Sequence, residues 1–153
     1  MQIDHLDHLI LTVQNLQATC DFYSRVLGMQ VRTFGANRRA LTFGAQKINL
    51  HEYGHEYEPK AAHPLPGSAD LCFVTDTPLT DVITYLEACG VALVEGPVKR
   101  TGAIGAILSV YIRDPDLNLI ELCYMRRARA SEGCGPTGAC SGRRFAPTRS
   151  RLF

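Results

Sequence analysis

No apolar run in this chain approaches the length needed to cross a bilayer, and neither sign of charge predominates. Sixteen Lys and Arg stand against fifteen Asp and Glu, a formal net charge of +1. That balance supplies no driving force for wrapping a polyanion, so neither nucleic acid nor a membrane is an expected partner. The N-terminus lacks the basic segment and apolar stretch of a secretory signal and carries Asp4 and Asp7 instead, so the expected location is the cytoplasm. A disulfide framework is not expected either. Cys20, Cys72, Cys89 and Cys123 each fall inside a periodic apolar segment, where a reduced small hydrophobe is the ordinary role.

What is present is the composition of a globular domain: 153 residues, 46% of them apolar, enough for one sizeable core. Residues 126–153 depart from it. Arg126, Arg127, Arg129, Arg143, Arg144, Arg149 and Arg151 sit among Gly, Ser, Pro and Ala without hydrophobic periodicity, and this tail is expected to be disordered.

Residues 1–125 read as one unit written twice. The first copy, about 5–53, opens on a strand-like run from Asp7 to Val13. Asn15 can cap a helix over Leu16 to Leu27, with Leu16, Phe22, Tyr23 and Val26 on one stripe and Gly28 as its stop. Strands are expected near 29–34, 39–43 and 47–52. The second copy, about 68–125, opens on a strand from Ala69 to Thr75. Thr77-Pro78 starts a helix running to Cys89, Gly90 stops it, and strands are expected near 92–95, 107–113 and 118–124. Tyr53 to Gly67, rich in Pro, Gly, Glu and His, reads as a linker. The predicted fold is α+β, two tandem βαβββ modules forming a curved mixed sheet around a cavity.

Alternation along strands assigns side chains to faces. Leu9, Leu11 and Val13 share one face and leave His8, Ile10 and Thr12 on the other; Ile48 and Leu50 leave Lys47, Asn49 and His51 opposite. In the second copy Leu71 and Phe73 oppose Asp70 and Cys72, and Ile120 and Leu122 oppose Leu119, Glu121 and Cys123. Asp70 occupies the place of His8, and Glu121 that of His51. If the modules pair about a pseudo-twofold axis, two imidazoles and two carboxylates converge, a set suited to one divalent ion such as Zn, Ni, Co, Mn or Fe. Absence of cysteine from the set argues against a closed structural zinc site. A single strand histidine is more often merely hydrogen-bonded; four polar residues at repeat-equivalent positions are what favour a ligand set.

Asp7-His8-Leu9, Cys20-Asp21-Phe22-Tyr23 through Val26-Leu27-Gly28-Met29, and Arg113-Asp114-Pro115-Asp116-Leu117-Asn118-Leu119-Ile120-Glu121 together resemble the signature of the vicinal-oxygen-chelate superfamily, which includes glyoxalases, bleomycin-resistance proteins and dioxygenases. The resemblance spans nearly all of residues 5–124. Lys47 to Glu52, Glu58 to Ala62 and Gly96 to Gly102 are similar to one branch, that of glyoxalase domain-containing protein 5 and its bacterial relatives.

The resemblance implies a metal that binds vicinal oxygens of a small molecule and stabilises an enolate or oxyanion, with Glu121 or Asp70 as general base in lyase- or isomerase-type chemistry. It implies a homodimer whose sites can draw one module from each chain. Lys47, Asn49, Arg100 and Thr101 are candidates to meet an anionic substrate, and Gly96 to Gly105 a candidate mobile loop. The competing reading is a non-catalytic sequestering protein of the bleomycin-resistance type. A ring-cleaving dioxygenase is disfavoured because Asp70 would be a surplus ligand, and a fosfomycin-type thiol transferase because Asp70 stands where that group has histidine. Leu117 stands where the turn ordinarily continues with Gly, and is expected to keep a negative φ.

Overall fold

A computed structural model describes residues 1–125; the arginine-rich tail and the expectation attached to it lie outside the described residues. Ten elements follow in the order β1 (His8–Val13), α1 (Leu16–Leu27), β2 (Gln30–Phe34), β3 (Arg38–Phe43), β4 (Gln46–Glu52), β5 (Asp70–Thr75), α2 (Leu79–Ala88), β6 (Glu95–Gly102), β7 (Gly105–Arg113) and β8 (Leu119–Tyr124). This is βαβββ twice. Each module makes its own four-stranded mixed sheet, β1-β4-β3-β2 and β5-β8-β7-β6, in which the first and last strands of the module run parallel.

Local chemistry sets the helix ends. Asn15 Oδ1 accepts the Ala18 N–H at 2.9 Å, satisfying one of the orphan donors of the first turn. Gly28 then adopts φ 66°, which an L side chain resists, and Met29 N–H returns to the Tyr23 carbonyl. In the second module Leu79 begins the helix just after Pro78, and Gly90 at φ 70° follows its end. Among the described residues no helix is long and apolar enough to cross a membrane.

The two modules are joined through their helix-bearing sides. Phe43 and Phe73, each pointing away from the polar face of its sheet, meet edge-on with centroids 5.4 Å apart. The Tyr85 hydroxyl donates to the Arg25 carbonyl, the Arg25 guanidinium donates to the Cys89 carbonyl at 2.9 Å, and the buried Tyr23 hydroxyl donates to Asp114 at 3.0 Å. One continuous core results, with Leu41, Ile48, Leu86, Ile112 and Ile120 fully buried. Consequently the polar faces of both sheets turn away from this core, and they carry exposed apolar side chains: Ile10 on one, Val74, 64% exposed, on the other.

Two expectations fail here. The second strand of module two is not at 92–95 but at Glu95–Gly102, and residues 96–105 are not a loop: β6 and β7 form a hairpin closed by Gly102 opposite Gly105. An edge strand is bonded on one side only, so it tolerates Pro97 and charged Lys99 and Arg100 and shows no clean alternation. A bulge between Glu95 and Val98 disturbs the pattern further. Gly96 is required there, because a Cβ would lie 2.6 Å from the Ser109 carbonyl oxygen.

The second failure is Leu117, which adopts φ 68° rather than a negative value. The turn is held by Leu117 N–H to the Asp114 carbonyl at 3.0 Å and by the Arg113 guanidinium on the Leu117 carbonyl at 2.8 Å. A left-handed conformation costs an L-residue about 1–2 kcal/mol, offset in a Leu117→Gly variant by glycine's extra chain entropy of about 0.5–1 kcal/mol. Leu117 is 67% exposed, so little packing is lost. Leu117→Gly is therefore expected to stabilise the protein by about 0.5–1 kcal/mol, read as a rise of about 1–4 °C in Tm; an unchanged or lower Tm would contradict the strain.

Candidate functional site

On the polar face of the first sheet, β1 and β4 run in parallel register with His8 beside Lys47, Ile10 beside Asn49 and Thr12 beside His51. His8 and His51 line two adjoining cavities between this face and the 53–69 connection. One, of about 410 Å³, also touches Lys60 and His63; the other, of about 190 Å³, also touches Arg38, Asn49 and Tyr57. His8 Nδ1 lies 2.6 Å from the Asp7 carboxylate. A proton on Nδ1, donated to Asp7, leaves Nε2 as a free lone pair, the usual second partner of a metal-binding imidazole.

His51 is 7% exposed, packed edge-on against Tyr57 at 5.4 Å. Its pKa is lowered, first by burial and then by Arg38. The neutral ring, the form that donates a lone pair, is thereby favoured. The Arg38 guanidinium stacks 4.0 Å above the Tyr57 ring, and Lys47 Nζ lies 5.2 Å from the Phe34 ring centre. The connection that supplies Tyr57 is itself pinned. Glu56 accepts from the Gly54 N–H and from Lys60, which hold its carboxyl down at about 2.

The second sheet presents Asp70 and Cys72 on β5 with Glu121 and Cys123 on β8; Cys72 stands directly across from Glu121. The Ser109 hydroxyl donates to Glu121 Oε1. Burial, then Cys123, then Glu121 push the Cys72 thiol up to about 12. Cys72 is thus not the buried hydrophobe the periodicity suggested. It is an exposed residue on the polar face and a protonated thiol at neutral pH. Arg100 already has partners in Glu95 at 2.8 Å and the Tyr111 hydroxyl at 3.1 Å, while Thr101 is exposed beside the β6–β7 turn, paired with Ala106.

The structure thus brings His8, His51, Lys47 and Asn49 together on one face and puts Asp70, Glu121 and Arg100 on another. Among the described residues of a single chain, no three His, Cys, Asp or Glu side chains are close enough to hold a metal ion. Sequence reasoning missed Arg38, Tyr57 and Lys60. Alternation on β3 could have flagged Arg38, whereas Tyr57 and Lys60 lie in a segment without periodicity. A larger cavity of about 600 Å³ opens on the helix-bearing side, lined mostly by apolar groups such as Met29, Phe43, Phe73 and Leu122, with Thr75, Thr77, Asp81 and Tyr85 also on its wall.

Comparison with known proteins bears on this geometry. The model of the Glyoxalase/Bleomycin resistance protein/Dioxygenase superfamily matches residues 5–122. The chain belongs to that superfamily. Virulence protein STM3117 of Salmonella typhimurium (strain LT2) is 59% identical over 122 residues, 80% of this chain and 85% of that protein. Its crystal structure superimposes with a TM-score of 0.80, covering 81% of this chain and 98% of the other. Glyoxalase domain-containing protein RDO1 of Mycosarcoma maydis is 54% identical over 129 residues, 84% of this chain and 73% of that protein. An integron cassette protein of V. cholerae, 60% identical, superimposes with a TM-score of 0.80 over 81% of this chain and 97% of the cassette protein. The glyoxalase-superfamily fold explains why the parallel β1/β4 and β5/β8 pairs recur: each brings the first and last strands of a module side by side, so that two polar positions meet.

Proposed function

We propose that this glyoxalase-superfamily protein is a metal-dependent lyase or isomerase acting on a small molecule with vicinal oxygens. Its site would be completed between two chains, His8 and His51 coming from one and Asp70 and Glu121 from the other. The observation that carries the reading is the outward orientation of both polar faces. Joining the modules through their helices leaves the histidine face and the carboxylate face of one chain without each other, while their chemistry is complementary: imidazoles with Lys47 and Arg38 on one side, the carboxylates of Asp70 and Glu121 on the other. The exposed Ile10 and Val74 support burial of both faces against a second copy.

A divalent ion held by these four groups would polarise a substrate oxygen as a Lewis acid. The chain's own residues do the rest. Asp7 fixes the His8 ring, while burial and Arg38 keep His51 neutral. The Ser109 hydroxyl donates to Glu121 Oε1 and so orients a carboxylate that would take a proton from a substrate carbon and return it. Exclusion of water from the enclosed face would strengthen each of these electrostatic interactions.

The test is metal content by mass spectrometry on protein purified without chelator, in the parent and in a His8→Ala/Glu121→Ala variant. Near-stoichiometric metal in the parent, lost in the variant, is the expected result. No metal in the parent even after reloading would overturn the reading and favour a protein that holds a small ligand without turning it over.

A further inference from the structure

Two features of the histidine face are unexplained by a metal alone. Asn49 Oδ1 is a buried side-chain oxygen with no hydrogen-bond partner among the described residues. A buried acceptor left unmatched costs free energy, and native structures rarely keep one without use for it. The other is the Arg38 guanidinium. It sits 4.0 Å over the centre of the Tyr57 ring and, among the described residues, no carboxylate lies within ion-pair distance of it.

Both line the cavity of about 190 Å³ beside His51. The one carboxylate on its wall, that of Glu58, is engaged by Lys60 at 3.7 Å. A guanidinium already immobilised on an aromatic ring has surrendered much of its rotamer freedom, so its fork is prepared for a planar anion. Asn49 requires a donor: a hydroxyl satisfies its carbonyl and a ketone does not. The space is about that of six waters in bulk, well below a drug-sized pocket, and so selects a ligand of few heavy atoms.

We propose that this cavity is the subsite for a small 2-hydroxycarboxylic acid, whose carboxylate is received by Arg38 and whose hydroxyl donates to Asn49 Oδ1. It rests on the reading of this face as the site, and the adjacent-carbon placement of the hydroxyl follows from the vicinal oxygens that reading requires. Arg38 and Asn49 become specificity-determining residues, one reading charge and the other reading the hydroxyl.

The probe is lactate, titrated by ligand-observed NMR against the full chain, both stripped with chelator and loaded with Zn, Ni or Mn. Propionate lacks the hydroxyl, and methyl lactate lacks the charge. Each is expected to bind about tenfold more weakly than lactate, the size of one hydrogen bond made to a buried group. Asn49→Leu should abolish the preference for lactate over propionate, and Arg38→Met the preference for lactate over its ester, with melting temperatures measured alongside to show folded protein. Equal binding of lactate and propionate by the parent, or no lactate binding in either metal state, overturns the proposal. If metal then still loads through His8 and His51, the metal reading survives it. If lactate binds as expected but metal never loads, the subsite stands and the metal reading falls.

Discussion

Asp114→Ala is expected to destabilise the protein by about 3–5 kcal/mol, lowering Tm by on the order of 10 °C. Asp114 is 3% exposed and its carboxylate accepts four hydrogen bonds: from the Tyr23 hydroxyl at 3.0 Å, from the N–H groups of Asp116 and Asn118 at 2.9 Å each, and from Asn118 Nδ2 at 2.8 Å. Tyr23 and Asn118 are fully buried, so truncation leaves their donors in a low-dielectric interior with no water to replace the lost acceptor. The effect propagates, because Asn118 Oδ1 accepts the Ala69 N–H at 2.9 Å and so fixes the start of β5 against β8. Burial and the neighbouring carboxylate push the Tyr23 pKa up, so the phenol stays a donor across the working pH range. Asp116, which accepts the exposed Gln14 N–H, makes the control: Asp116→Ala should cost far less. Thermal unfolding of the pair decides it, and a loss below about 1 kcal/mol for Asp114→Ala would show that the buried network relaxes without this carboxylate.

The second large effect concerns which chain supplies which ligand. A His8→Ala/His51→Ala protein and an Asp70→Ala/Glu121→Ala protein should each bind essentially no metal. Mixed and allowed to exchange subunits, they should recover about a quarter of the parent's capacity, because half the dimers are mixed and each mixed dimer holds one intact and one empty site. Metal analysis of the mixture against the two separate variants is the measurement. Recovery absent despite proven exchange, or a parent that is monomeric at micromolar concentration, would sink the two-chain site. A partial result has a defined meaning here, since a site built within one chain cannot be rescued by mixing at all.

Much of the fold is legible in the amino-acid sequence. Asn15 and Gly28 bracket α1 because the terminal N–H and carbonyl groups need those side-chain and backbone properties locally, and the observed limits Leu16–Leu27 coincide with the expected ones. The repeat of elements is legible too, β1-α1-β2-β3-β4 recurring as β5-α2-β6-β7-β8, but the residue match is two places off: His8 pairs with Lys47 and Asp70 with Leu119, so the counterpart of Glu121 is Asn49 and not His51. Sequence patterns mislead where pairing partners rather than periodicity decide conformation. Among the described residues β6 is an edge strand whose ladder is with β7 alone, so its Pro97 and cations read as a loop. Leu117 takes a left-handed conformation that a one-residue rule excludes, because the surrounding Asp114 and Arg113 bonds over-determine the turn.

The order of elements, the superfamily and the side chains on polar strand faces all follow from the sequence, since each depends on interactions within a few residues or on a period of two. Three outcomes needed the folded chain: the modules join helix side to helix side, the histidines and the carboxylates therefore face away from one another, and Arg38, Asn49 and Tyr57 meet beside His51. These depend on packing between segments far apart in the chain, where Phe43 finds Phe73 and Tyr23 finds Asp114, and no local pattern encodes such a choice.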